Sequence, residues 1–397
     1  MLIVGGGPAG LATAELASRR SRVLVVHKDA EIGKPVRTSG GSWLDDVIKL
    51  GIPASCYKVI NSVQFAGPTT KSIFDFKRRN PVVLDVTATY RYLADLAEAS
   101  GAKIQLSTKL VSVEINEDGC FTCRLESRGE VRSIRTRYLV DASGFQRAVL
   151  NRLGLVSKPQ RYGIGAEGEY EDLSDRPNQA TLFVGTRYAP TGYGWIFPTN
   201  HGTVRVGVGV TRPVVTVSPA KLLADFMQSV EVSAGLGIKV GRLVEEHGGV
   251  VPAEGPLRRV IYDAVIAVGD SAGQVLPLVG EGIRFSIMAG RKAGAALDGA
   301  LDEPNNAERH LARYQAWWVG SYFKRFQLAQ AVNLRITQYE DAQWDAGVKR
   351  ISIIDAEMLG SLLRADALPW SAAKFLMRHP LAASSYLAEK MSRHLRK

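Results

Sequence analysis

Three groups of residues in this chain have the types and the spacing to do chemistry. The first is Gly5, Gly7 and Gly10 in the run GGGPAG, which has G-x-G-x-x-G spacing. Its first glycine permits a tight turn, its second lets the backbone approach a pyrophosphate, and its third lets a helix pack closely on a strand. The helix that follows, with Ala9 in its first turn, would aim free N–H groups and a positive dipole end at that anion. The second group lies in VGDSAGQVLPLVGEGI, residues 268–283. Asp270, at the carboxyl end of a buried strand, could accept a hydrogen bond from a polyol hydroxyl. Gly280, Gly282 and Ile283 open a helix whose N-terminus suits an anionic ring edge. The third is Tyr193, Trp195 and Phe197 in YGWIFP, whose alternation puts all three rings on one face of a strand.

These groups need elements to position them. Residues 1–27 read as a βαβ unit whose second strand ends at His27, where an acidic residue usually holds a ribose hydroxyl. An irregular run, DAEIGKPVRTSGG, leads to a helical stretch from about Trp43 to Leu50. Short strands over 61–84 precede a helix that places Tyr90, Leu93, Leu96 and Ala97 on one face. Further strands end at LVDASGF. Alternating segments between about 155 and 255 predict an antiparallel sheet, interrupted by the helix PAKLLADFMQSV. A buried strand over Ala264–Val268 follows, and helices run from about 283 to the end. The expected fold is α/β (α+β overall). A discontinuous Rossmann-like domain (1–60, 83–153 and 256–300) accepts an inserted β-sheet domain (61–82 and 154–255), and a helical region covers 301–397.

A nicotinamide dinucleotide has no use for the second glycine element, whereas a flavin does, because its ribityl chain and ring edge require separate partners. GGGPAG, LVDASGF and VGDSAGQVLPLVGEGI together resemble the FAD-binding motifs of the p-hydroxybenzoate hydroxylase fold. The segment Y-G-W-I-F-P followed by VRVGVGV resembles the Y-x-W-x-F-P signature of the geranylgeranyl reductase family, and PVRTSGG stands where that family has a loop beside the flavin. The resemblance implies FAD as cofactor, held by Gly5, Gly7, Ala9, Gly10, His27, Arg37, Thr38, Ser39, Gly41, Val111, Asp270, Gly280, Gly282 and Ile283. It implies reduction of isolated double bonds in a prenyl chain on a lipid or isoprenoid precursor, with Tyr193, Trp195 and Phe197 as a tunnel wall. Thr38 and Glu281 are the candidates for catalysis. Three positions depart from the family's pattern: His27 for the ribose-binding acid, Thr38 for a cysteine near the flavin, and Val86 for an arginine. Few charged acid–base pairs are expected, since the cofactor carries the chemistry.

Two other readings stand beside this one. A flavin-dependent monooxygenase or halogenase shares the fold, and a prenyl-lipid-binding flavoprotein without activity would keep the same motifs. The chain has 397 residues and a net charge of +11, which favours an anionic partner such as a membrane surface. No nucleic-acid motif accompanies that charge. Electrons would come from NAD(P)H or a ferredoxin, since no second nucleotide fold is evident. The three cysteines are too few for a disulfide framework, and Cys120 and Cys123 lack a second ligand pair for a metal. With no room for a targeting segment and no apolar run of spanning length, a cytoplasmic location is expected, peripheral to the inner membrane face. His201 in its TNHG turn is expected to be solvent-exposed, and Trp317 and Trp318 to pack in the core or at the tunnel end.

Overall fold

The computed structural model describes residues 1–175, 177–228 and 239–366. The chain opens as β1 (Leu2–Val4), α1 (Pro8–Ala17) and β2 (Leu24–Val26). Next come β3 (Gly41–Trp43), α2 (Leu44–Lys49), β4 (Tyr57–Val59), β5 (Ser62–Ala66), β6 (Lys71–Asp75), β7 (Pro81–Leu84) and α3 (Val86–Ala99). They are followed by β8 (Lys103–Gln105), β9 (Thr108–Ile115), β10 (Phe121–Ser127), β11 (Glu130–Thr136), β12 (Leu139–Asp141) and α4 (Ala148–Arg152). The middle of the chain gives β13 (Tyr162–Asp172), β14 (Gln179–Phe183), β15 (Tyr193–Pro198), β16 (Thr203–Arg212), α5 (Pro219–Gln228) and β17 (Val240–Pro252). Then come β18 (Ile261–Tyr262), β19 (Val265–Ala267), α6 (Ile283–Asp302), α7 (Ala307–Trp318), α8 (Lys324–Ile336), α9 (Asp341–Ile351) and α10 (Ala356–Leu363).

The strands form four sheets among the described residues. One has the order β18-β19-β12-β1-β2-β8, with β19 to β8 all parallel. The central strands LIV and LVD are fully buried, as parallel strands covered on both faces must be. The second large sheet runs β17-β13-β16-β15-β14-β5-β6 and is antiparallel except between β14 and β5. Two three-stranded sheets, β11-β10-β9 and β3-β7-β4, complete the set. The boundary expected between residues 82 and 83 falls inside β7, which pairs with β3 and β4.

Two contacts fix the relation between the elements that matter for function. Helices α1 and α6 pack backbone to backbone: a Cβ on Gly290 would lie 2.4 Å from the Ala9 carbonyl oxygen, and one on Gly294 would lie 2.5 Å from that of Thr13. Only glycine permits this approach, and it brings both helix N-termini to the same end of the parallel sheet. Strand β17 lies just as tightly on the loop before β3, since a Cβ on Gly249 would be 2.0 Å from the Arg37 carbonyl oxygen. Trp318 is buried with Phe326 in the core between α6 and the C-terminal helices, its Nε1 donating to the Leu257 carbonyl, and Trp317 packs partly buried beside it. The basic run EKMSRHLRK lies outside the described residues. No helix among the described residues is long and apolar enough to cross a membrane.

Candidate functional site

The glycine loop between β1 and α1 is a cradle with little slack. Gly5 has φ +117°, and a Cβ there would meet the Ala142 carbonyl oxygen at 2.1 Å. A Cβ on Gly10 would meet the Gly5 carbonyl oxygen at 2.0 Å, whereas one on Gly7 would meet no protein atom within 4 Å. The opening at Gly7 is therefore space the protein leaves free at the helix N-terminus, where a phosphate is favoured. Ala9 abuts Gly269 from the second of the three groups.

His27 does not face this opening as a free donor. Its Nδ1 accepts from the Gly6 amide at 3.1 Å, so the neutral ring carries its hydrogen on Nε2, 3.4 Å from an Asp29 oxygen. Burial lowers the His27 pKa against the pull of Asp29, which keeps the ring neutral. Arg37 grips Asp29 with two bonds of 2.8 and 3.1 Å, and Lys28 adds one of 2.7 Å. Burial opposes ionisation of Asp29, but these cations more than offset it and hold the carboxyl below its usual range. The sequence reading passed over Asp29, although an acid two residues beyond the expected position was visible in HKDAE.

At the other end of the cradle, Asp270 sits just after β19. Its carboxylate has no hydrogen-bond partner among the described residues, and burial pushes its pKa up to about 6. An acceptor left bare in a half-buried position suits a donor, and a polyol hydroxyl supplies one. The bare Asp270, the free space at Gly7 and the aligned N-termini of α1 and α6 fit an FAD molecule laid along this edge. If a bound hydroxyl donates to the ionised Asp270, affinity is highest above the Asp270 pKa and falls as protonation sets in. A fluorescence titration should show FAD binding weakened roughly threefold to tenfold between pH 7.5 and 5, with the slope lost in Asp270→Asn. A pH-independent wild-type affinity would remove Asp270 from the site. Tyr90, in the field of both Asp270 and Arg37, is a neighbour that the sequence did not single out.

Glu281 was a candidate proton relay, yet its oxygens are already engaged. Ser42 Oγ donates at 3.0 Å, and Arg284 donates from Nε and Nη2 at 2.9 and 2.7 Å. Arg284 also reaches Asp46 at 2.7 Å, and Arg364 reaches Asp46 at 2.8 Å. A bridge between Leu276 and Glu281 closes the loop ahead of α6, which starts at its cap residue Gly282. In this geometry Glu281 ties the loop to β3 through Ser42 and, by way of Arg284, to α2.

Between this loop and the large sheet lies a chamber of about 390 Å³. Arg37, Thr38, Ser39, Gly41, Gly280, Gly282 and Ile283 line it on one side, and Tyr193, Trp195 and Phe197 on the other. The alternation in β15 thus puts the three rings on one face, with Tyr193 Oη donating to the Val279 carbonyl at 2.6 Å. Ile336, Trp344 and Leu363 from the C-terminal helices also line the chamber, a contribution that no local pattern foretells. Val111 lies elsewhere: it is exposed on β9, and its carbonyl accepts from Arg152 Nε at 2.9 Å. His201 is exposed as expected and bonds Asp85 at 2.7 Å.

One expectation fails outright. Ionisable pairs are present in the apolar chamber wall: Glu167 accepts from Trp195 Nε1 at 2.5 Å and pairs with His247 Nδ1 at 2.8 Å, and both side chains are buried. Beside them Arg205 donates to Glu169 at 2.9 Å and to the carbonyls of Ser39 and Leu84 at 3.0 Å each. These residues come from three strands far apart in sequence, so no local motif marks them. The available signal was the glycine content of strands GIGAEGEY, VRVGVGV and HGGV, since glycine inside a strand marks a close approach. No cluster of potential metal ligands occurs among the described residues.

Comparison with known proteins agrees with this geometry. Residues 1–150 match the model of the FAD dependent oxidoreductases, and residues 164–251 match the geranylgeranyl reductase catalytic domain. Digeranylgeranylglycerophospholipid reductase 1 of Methanococcoides burtonii is 27% identical over 90% of this chain and 88% of its own. Digeranylgeranylglycerophospholipid reductase 2 of Methanopyrus kandleri is 27% identical over 96% of both chains. The crystal structure of a geranylgeranyl bacteriochlorophyll reductase-like protein from Thermoplasma acidophilum superposes with a TM-score of 0.81 at 22% identity, covering 95% of this chain and 98% of that one. A flavin-dependent brominase shares the fold with a TM-score of 0.72 at 17% identity over 98% of each chain. The catalytic-domain match falls on the strands that wall the chamber and the oxidoreductase match on the glycine loop, so over both parts of the site the chain is similar to FAD-dependent geranylgeranyl reductases.

Proposed function

We propose that this protein saturates isolated double bonds of a geranylgeranyl or related polyprenyl chain carried on a lipid or isoprenoid precursor. The observation that carries the reading is the coincidence of the reductase-domain match, 164–251, with β13, β15, β16 and β17, whose shared face walls the apolar chamber beside the loop that precedes α6. FAD, when bound, supplies the hydride equivalent from its reduced ring. The chain's own residues do the rest. Gly5, Gly7, Ala9 and Gly10 seat the pyrophosphate, with His27 and Arg37 beside the ribose. Asp270 holds a ribityl hydroxyl, while Thr38, Ser39, Gly41, Gly280, Gly282 and Ile283 border the ring. Tyr193, Trp195 and Phe197 hold the prenyl chain and exclude water from it. Thr38 and Glu281 both border the chamber, and Thr38 is the freer of the two catalytic candidates, because Glu281 is tied up in its ion pair.

The same reading assigns the parallel sheet with α1 and α6 to the cofactor and the large sheet to the substrate, with the C-terminal helices as roof. A lipid substrate and a net charge of +11 together suit peripheral contact with an anionic membrane. NAD(P)H or a ferredoxin would then deliver electrons at the surface.

The test is anaerobic. Reduced holoenzyme mixed with a digeranylgeranylglycerophospholipid should regain its oxidised flavin absorbance, and mass spectrometry should find the lipid heavier by two hydrogens per turnover. A flavin that stays reduced until oxygen enters, with unaltered lipid, would refute the reading and favour oxygen chemistry on the same fold.

A further inference from the structure

The chamber floor is one face of the seven-stranded sheet, and its register sets four positions in a row. His247 pairs with Glu167, Glu167 with Gly207, and Gly207 with Trp195. Hydrogen bonds follow the outer part of that row, from His247 Nδ1 to Glu167 Oε1 at 2.8 Å and from Trp195 Nε1 to Glu167 Oε2 at 2.5 Å. To reach Glu167 the indole must cross the intervening strand. It does so by lying flat: a Cβ on Gly207 would sit 2.3 Å from indole carbons Cε2 and Cζ2. Cβ atoms on Gly209 and Gly165 would each lie 3.4 Å from the far edge of the ring. Three glycines from β13 and β16 thus form a seat for the ring, and Gly207 can be nothing larger.

Burying a carboxylate and an imidazole beneath an apolar chamber is costly, and apolar residues of similar volume would pack as stably. The side chains of His247 and Glu167 are only 2% and 4% exposed. His247 Nε2 has no hydrogen-bond partner, its nearest acid oxygen (on Glu245) being 3.6 Å away. The pair therefore does something that packing alone does not. We propose that Glu167, oriented by His247, is a positioning residue that locks the Trp195 indole onto the glycine seat, and that the flattened ring sets the length of prenyl chain the chamber accepts. A ring released from the seat would stand up into the space that the far end of the chain occupies. This inference rests on the reading of the chamber as a prenyl site.

The test uses holoenzyme labelled with 5-fluorotryptophan, its Trp195 resonance assigned by loss in Trp195→Phe. Wild type and Glu167→Gln, which keeps an acceptor for the indole N–H, should each show one narrow Trp195 line. The double variant Glu167→Leu/His247→Leu replaces both polar partners with apolar ones and should broaden or split that line. Gly207→Ala displaces the ring without touching the pair and should shift the line as well. In both variants the preference for geranylgeraniol over farnesol, read as a ratio of dissociation constants, should fall about tenfold. An unchanged Trp195 line in the double variant would overturn the lock. A displaced line with an unchanged ratio would overturn its role in chain length. Tight geranylgeraniol binding without reduction would instead sink the reductase reading and leave the lock standing.

Discussion

Gly10→Val is expected to yield a folded protein without flavin. Purified G10V should show no visible flavin absorbance and should bind added FAD at least about a hundredfold more weakly than wild type. The reason is the stacking of main chain at the turn. Even the first carbon of a side chain at position 10 would lie 2.0 Å from the Gly5 carbonyl oxygen, well inside van der Waals contact. Gly5 cannot retreat, because its own α-carbon is pressed against Ala142 at the end of β12 and its φ of +117° is open only to glycine. Relief must come from lifting the start of α1, which moves the amides that would face the pyrophosphate. Gly7→Ala makes the complementary test. Its methyl group would meet no protein atom, so the melting temperature should stay put while FAD affinity drops. Equal affinity in G7A and wild type would show that no ligand passes close to position 7.

Arg205→Met should produce the largest loss of stability of any chamber substitution. The guanidinium is 5% exposed and joins three elements: Glu169 on β13, Ser39 in the loop before β3, and Leu84 at the end of β7. Removing it strands Glu169 without its cation. Burial opposes ionisation of Glu169, and it is Thr203 and Arg205 that hold its pKa below the ordinary value. A buried pair broken on one side costs about 3–5 kcal/mol, which corresponds to roughly 4–6 °C in melting temperature for a chain of this size. The double change Arg205→Met/Glu169→Leu should recover a good part of that loss, since no unpaired charge remains. Thermal denaturation of the single and double variants decides the matter, and a single variant that melts within a degree of wild type would show that the network is not stabilising.

What the sequence disclosed and what it hid follow from the range of the interactions involved. Glycine spacing around Gly5 and Gly10, the aspartate after β19 and the alternation of Tyr193, Trp195 and Phe197 are local patterns, each tied to one turn or one strand. They carried the fold class, the cofactor and the family resemblance. Glu167, Arg205 and His247 become neighbours only when β13, β16 and β17 align, and the glycines beside them in those strands signal a close approach without saying which residues meet. The contribution of Ile336, Trp344 and Leu363 to the chamber depends on where the C-terminal helices dock, which helical periodicity does not specify. Glu281 shows the converse. Its place in the loop was legible and suggested reactivity, but its occupation by Ser42 and Arg284 was not. His27 stood out as a departure, and its resolution needed the position of Asp29 across the turn.

The ion-pair chain from Arg364 through Asp46 and Arg284 to Glu281 joins the segment after α10 to the loop that precedes α6. The roof of the chamber and the rim of the cofactor cradle are therefore mechanically one piece. A lipid that enters by displacing the C-terminal helices draws Arg364 away from Asp46 and loosens the anchor of Glu281. Loading of substrate and grip on the flavin are then thermodynamically linked, and linkage is reciprocal. Whatever steadies the loop before α6 would then also steady the roof, so the reduced and oxidised enzyme need not admit lipid equally.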